Sequence, residues 1–156
     1  VMMSFIYQIR ELQNGGEFVV LLFLAAWGND TLAYCTGMLI GKHKMSPILS
    51  PKKSIEGLVG GIVGAAILGA LYGLYLNTYI RFSFNPVTMF PIVCGLGGAV
   101  SVIGDLAASA IKRDSGIKDY GTLIPGHGGI LDRFDSIIFI APVIYYLTVM
   151  ISGGAI

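Results

Sequence analysis

The sequence predicts an all-α, polytopic membrane protein with about four transmembrane helices and a polar site facing the cytoplasm. Three observations carry that reading. Apolar residues make up 54% of the 156 positions and charged residues only 12%, and the mean hydropathy is +0.76, too apolar for a soluble domain. Long uncharged runs recur, each near the ~20 residues a helix needs to cross a bilayer. The polar chemistry is gathered into a few connectors, above all 109–135, SAIKRDSGIKDYGTLIPGHGGILDRFD, so the apolar remainder reads as a holder for it. A net charge of +1 gives no signal for nucleic acid as a partner.

Residues 1–17 are mildly amphipathic and read as the end of an earlier helix or as an interfacial segment. The first spanning run is 18–40. It carries Asn29 and Asp30 near its middle, and a carboxylate there costs about 2.5–3.5 kcal/mol on insertion scales unless it faces a bundle interior or a wet cavity. Tyr34 and Gly37 follow Asp30 at i+4 and i+7 on the same helical face. Either a polar packing contact or a site lining accounts for them. Cys35 and Cys94 fall inside apolar runs and read as small buried hydrophobes.

Residues 41–56, GKHKMSPILSPKKSIE, form a basic connector. Pro47 and Pro51 deny it a continuous helix. The segment from Ser50 through Lys52 and Lys53 either serves phosphate binding or reflects only the bias of Lys and Arg toward the cytoplasmic side, with Ser54 starting the next helix. The second run, 57–80, repeats small residues at Gly57, Gly61, Ala65, Gly69 and Gly73. That strip lets another backbone approach closely and offers a surface for a homodimer. No GxxxxGK[ST] occurs, so a P-loop nucleotide site is not supported.

A short turn, 81–86, leads to the third run, 87–111, which carries the single acid Asp105. If this helix continues through Arg113, then Asp105, Ser109, Lys112 and Arg113 form one stripe at i, i+4, i+7 and i+8. Lys112 and Arg113 could merely complement a helix C-terminus, but that leaves Asp105 unexplained. The glycines between 116 and 129 make a backbone able to turn tightly and present bare N–H groups to an anion. The fourth run, 134–151, tolerates Pro142 if neighbours re-satisfy the freed carbonyl. Asp132 and Asp135 at its start are either helix-cap and dipole partners or, for Asp132 together with Asp105, ligands of a divalent cation. Mg2+ suits such a set, since it takes one or two carboxylates plus substrate phosphates.

Four of the ten basic residues lie in 41–56 and four in 112–133, with Arg10 and Arg81 elsewhere. Four spans bring these two connectors to one face, the cytoplasmic one by the positive-inside rule. The chain is thus expected to be a multi-pass integral membrane protein, of the inner membrane if bacterial, and a single transmembrane domain over 1–156. It opens on Val1 with no visible signal peptide, and its non-Met start is read as the expectation of a fragment.

The order Ser109, Lys112-Arg113, Lys118-Asp119, Pro125-Gly126-His127-Gly128-Gly129, Asp132-Arg133 and Asp135 resembles the signature of the phosphatidate cytidylyltransferase family, the CDP-diacylglycerol synthases. Asn29-Asp30, Ala33-Tyr34, Gly37, Gly41 and SPKKSIEG are similar to the family as well, so the likeness runs from Trp27 to Ala141. Members generally carry further helices before this region, which strengthens the expectation of a C-terminal catalytic part. The resemblance implies transfer of a cytidylyl group from CTP to phosphatidate in the presence of Mg2+. It assigns Asp105 and Asp132 to the metal, and Asp119 and Asp135 either to a second cation or to orienting the basic residues. Lys112, Arg113, Lys118 and Arg133 then serve the phosphates and His127 donates to one or shapes its loop. Ser109, Asn29, Asp30, Ser50, Lys52, Lys53, Gly126, Gly128 and Gly129 complete the substrate site. Rival readings are a CDP-archaeol synthase or CTP-dependent polyprenol kinase, an ion or phosphate transporter, and a structural fragment with an incomplete site.

Overall fold

The computed structural model describes residues 2–46, 50–117 and 131–152. Helix α1 (Ser4–Glu11) is followed by α2 (Gly15–Phe23), a π-helical turn (Leu24–Gly28) and α3 (Asn29–Ile40). The last three form one rod, Gly15–Ile40, of 26 residues. At 1.5 Å per residue it is about 39 Å long, more than a ~30 Å hydrocarbon core. Asn14, with φ 59°, turns the chain between α1 and α2. Gly15 then presses so close that a Cβ would run into the Ile9 and Arg10 carbonyls. Rather than lying apart at an interface, α1 packs into the bundle. Ile9 is fully buried, and Phe5 meets Tyr145 with ring centroids 5.3 Å apart.

Two short antiparallel strands, β1 (Lys44–Ser46) and β2 (Ser50–Ser54), pair with Lys44 opposite Ser54. The proline-broken connector expected from sequence therefore closes into a hairpin, which its composition did not announce. Ser54 then caps α4 (Ile55–Asn77), its side chain accepting from the Gly57 amide at 3.1 Å. That cap starts the helix two residues before the expected Gly57. Helix α5 (Pro86–Asp114) opens with Pro86 in its first turn and Asn85 accepting from the Val87 amide at 3.0 Å. It runs through Arg113 as the stripe from Asp105 requires. Helix α6 (Leu131–Ile151) completes the fold.

Among the described residues three helices, Gly15–Ile40, Ile55–Asn77 and Pro86–Asp114, are long and apolar enough to cross a membrane. A further apolar helix among the described residues, Ser136–Ile151, is shorter. The strip Gly57, Gly61, Ala65, Gly69 and Gly73 is buried along its whole length. Its first half lies on α3, where a Cβ at Gly57 would stand 2.7 Å from the Ala33 carbonyl oxygen. Its second half lies on α5, where one at Gly69 would stand 2.7 Å from that of Phe90. The strip is consumed inside the chain, so it is not the surface on which two copies would meet. Close backbone approach of this kind replaces the hydrophobic drive that helices lack in lipid.

The other side of α4, with Val59, Val63, Ile67 and Leu71, is exposed and suits a lipid surround. Cys94 is buried as expected, whereas Cys35 is exposed, since α3 turns that position away from α4. At the end of the bundle remote from the hairpin, Phe18, Phe82, Phe84 and Phe90 pack with ring centroids 5.2–6.4 Å apart. They hold the turn between α4 and α5, and beside them the Tyr72 hydroxyl donates to Glu17.

Candidate active site

A cleft of about 570 Å3 opens where α3, the hairpin, the start of α4 and the middle of α5 converge. A volume of this size lies in the range of small-molecule sites. From α3 come Asp30, Tyr34 and Gly37, the face the i, i+4, i+7 spacing selects. The hairpin contributes Lys44 and Lys53, and α5 contributes Val102 and Asp105. Gly37 and Gly57 permit the approach of α3 to α4 behind the cleft, a Cβ at Gly57 lying 3.2 Å from the Gly37 Cα.

Lys53 Nζ forms an ion pair with Asp105 Oδ2. Their side chains are 31% and 25% exposed, so the pair is partly desolvated and its attraction exceeds that of a surface pair. This explains the acid inside the third apolar run, for a carboxylate at that depth needs a partner. The hairpin is in turn fastened to α4. The His43 amide donates to the Glu56 carboxylate with both oxygens at 3.2 Å, and His43 Nδ1 lies 2.6 Å from Glu56 Oε1. The Ile55 amide donates to the His43 carbonyl at 3.0 Å. Lys53 therefore reaches Asp105 from a braced strand.

Asn29, next to Asp30, is fully buried and borders the cleft. Ser109, Lys112 and Arg113 continue the stripe beyond Asp105 but do not line the cleft, and Arg113 is exposed. Lys118, Asp119, Gly126, His127, Gly128 and Gly129 lie outside the described residues, as do the side chains of Ser50, Lys52, Asp132, Arg133 and Asp135. Among the described residues no group of three potential metal ligands occurs. Among the described residues, Asp30 and Asp105 are the carboxylates that line the cleft. Sequence reasoning did not place Lys44 in the site, whereas Tyr34 lies on the face that the spacing from Asp30 selects. For Lys44 the missing signal was the strand pairing with Ser54, which spacing along one chain does not encode.

Two ammonium groups and two carboxylates around a partly apolar hollow can take an anionic ligand together with a hard cation, while the apolar wall accepts a less polar portion. The chain is 37% identical over 148 residues to a phosphatidate cytidylyltransferase of Staphylococcus saprophyticus, covering 95% of this chain and 55% of the relative. It is 39% identical over 145 residues to one of Staphylococcus aureus, covering 93% and 53%. The chain thus spans about half the length of the curated relatives it matches. The profile of the cytidylyltransferase family matches residues 1–151. The chain belongs to the cytidylyltransferase family.

Proposed function

We propose that this chain transfers a cytidylyl group from CTP to phosphatidate, giving CDP-diacylglycerol and pyrophosphate in phospholipid biosynthesis. The observation that carries the reading is the meeting of Lys53 and Asp105 in one cleft with Asp30 and Lys44. It brings cation and carboxylate from separate parts of the chain to a single anion-sized hollow, and relatives named phosphatidate cytidylyltransferase align along nearly the whole chain.

In this reaction a phosphate oxygen of the lipid attacks the α-phosphorus of CTP in line. The bond to the β-phosphate oxygen breaks and pyrophosphate leaves with the electron pair. The protein's share is to hold two anions together and to neutralise the charge that grows on the leaving group. Lys53 and Lys44 would draw the phosphates toward the cleft. Lys52, Lys112, Arg113, Lys118 and Arg133 would serve the same anions, with His127 donating and Gly126, Gly128 and Gly129 bringing bare amides close. Ser50 and Ser109 would add hydroxyl contacts, and Asp30 would line the nucleotide side. No protein nucleophile is needed.

Asp105 offers oxygen donors that fit Mg2+ better than a softer metal, with Asp132 as its partner and Asp119 and Asp135 as further ligands or as supports for the basic residues. The metal would supply charge neutralisation at the phosphates. The excess of basic residues in 41–56 and 112–133 supports a cytoplasmic orientation of the cleft.

The test is transfer from labelled CTP by the purified chain in detergent, with phosphatidate, an archaeal ether lipid phosphate and an isoprenoid alcohol as separate acceptors. Labelled CDP-diacylglycerol and an equal amount of pyrophosphate are expected from phosphatidate. Product on another acceptor alone would overturn the assigned substrate, and no product from folded protein would overturn the reaction.

A further inference from the structure

Asn29 is fully buried where α3, α4 and α5 meet. A Cβ at Gly61 would stand 2.8 Å from Asn29 Oδ1, and one at Gly98 would stand 3.0 Å from it. The carboxamide thus occupies the space that these two glycines leave. Its Oδ1 accepts no hydrogen bond from the described residues, and its Nδ2 faces Asp30 Oδ1 at 3.5 Å, the outer limit of such a bond. A buried amide satisfied on one side only costs folding free energy that an apolar side chain of similar size would not. The fold alone gives no reason for an asparagine here.

The π turn Leu24–Gly28 immediately precedes this pair. Its wider winding rotates every following residue about the axis relative to an unbroken α-helix, and such turns recur at functional sites. With this offset Asn29 is fully buried at the junction, and both it and its neighbour Asp30 border the cleft. An aspartate on a helix surface has several rotamers open to it. A donor rooted in the core is one of the contacts that choose among them.

We propose that Asn29 is a positioning residue for the transfer reaction. Seated between Gly61 and Gly98, its carboxamide directs an N–H at Asp30 and contributes to the direction in which that carboxylate enters the cleft. The inference rests on the function proposed above and deepens it.

The test uses the full chain in detergent as wild type, Asn29→Leu, Asp30→Asn and the double variant. Each is followed by thermal unfolding, by kcat and KM for CTP, and by 13C spectra of carboxyl-labelled aspartate. Asn29→Leu is expected to unfold at or above the wild-type temperature and to move the Asp30 carboxyl resonance, identified by its loss in Asp30→Asn. It should lower kcat/KM about tenfold and cost nothing more once Asp30 is already asparagine. Losses that multiply in the double variant, an unmoved resonance or wild-type kinetics would overturn the proposal. Should Asn29→Leu not fold, Gly98→Ala displaces the same carboxamide without removing it and must move the same resonance. Absence of transfer by the wild type would sink the reaction alone, and the resonance would still decide the positioning role.

Discussion

Replacing Gly69 by alanine should push α4 and α5 apart, whereas the same change at Gly95 should be harmless. A Cβ at Gly69 would lie 2.7 Å from the Phe90 carbonyl oxygen, 2.9 Å from Cys94 Sγ and 3.0 Å from Cys94 Cβ. The first of these is backbone and cannot swing aside, so the helices must separate by about 0.5–1 Å, which forfeits a quarter to a half of the dispersion well for the atoms concerned. Overpacking of this kind costs about 1–3 kcal/mol, offset by the ~1 kcal/mol that alanine gains over glycine in a helix. The net effect at Gly69 is a loss of about 0–2 kcal/mol. A Cβ at Gly95 would meet only the Ala66 Cβ at 3.7 Å, an ordinary contact, so the propensity gain of about 1 kcal/mol survives there. The two variants should therefore differ by about 1–3 kcal/mol, or roughly 2–12 °C in apparent Tm for a chain of this size. Thermal unfolding of both in one detergent at one scan rate measures the difference. Equal Tm values would refute the assignment of the α4 strip to close backbone packing.

Other consequences follow from single contacts. Ser54→Ala removes the cap on α4 and should cost about 1 kcal/mol, seen as faster hydrogen exchange at the Gly57 amide than at amides in the helix middle. Lys53→Met should raise KM for CTP about tenfold or more while leaving the protein folded, because an anion-attracting charge is lost from the cleft; initial-rate kinetics would show it. Tyr72→Phe should cost about 1.5–3 kcal/mol through the lost bond to the Glu17 carboxylate. Thermal unfolding should register that loss with no change in KM, since the pair lies at the other end of the bundle.

Much of the scaffold was legible because bilayer length and small-residue spacing are one-dimensional signals. The runs around Val20, Ile67 and Val100 announced helices, and the four-residue repeat from Gly57 to Gly73 announced the buried face of α4. Asp30, Tyr34 and Gly37 were legible as one face because helical geometry converts spacing into direction. Other features depend on what the chain meets after folding. The pairing of Lys44 with Ser54 is a long-range register in a segment of low strand propensity, so no local preference revealed it. Lys53 and Asp105 read as separate phosphate and metal residues, and only their convergence shows that each neutralises the other. The π turn before Asn29 has no composition of its own, yet it sets which way both Asn29 and Asp30 face. Cys35 looked like core because its run is apolar, but in lipid an apolar run can be exposed on every side not covered by a neighbour.

The most direct test of the central claim is metal-dependent formation of labelled CDP-diacylglycerol from CTP and phosphatidate by wild type and Asp105→Asn, with circular dichroism confirming that both remain folded. The account predicts product from the wild type with Mg2+ and none above background from Asp105→Asn. Wild-type turnover in Asp105→Asn, or no turnover in either, would contradict the assignment of cytidylyl transfer to this cleft.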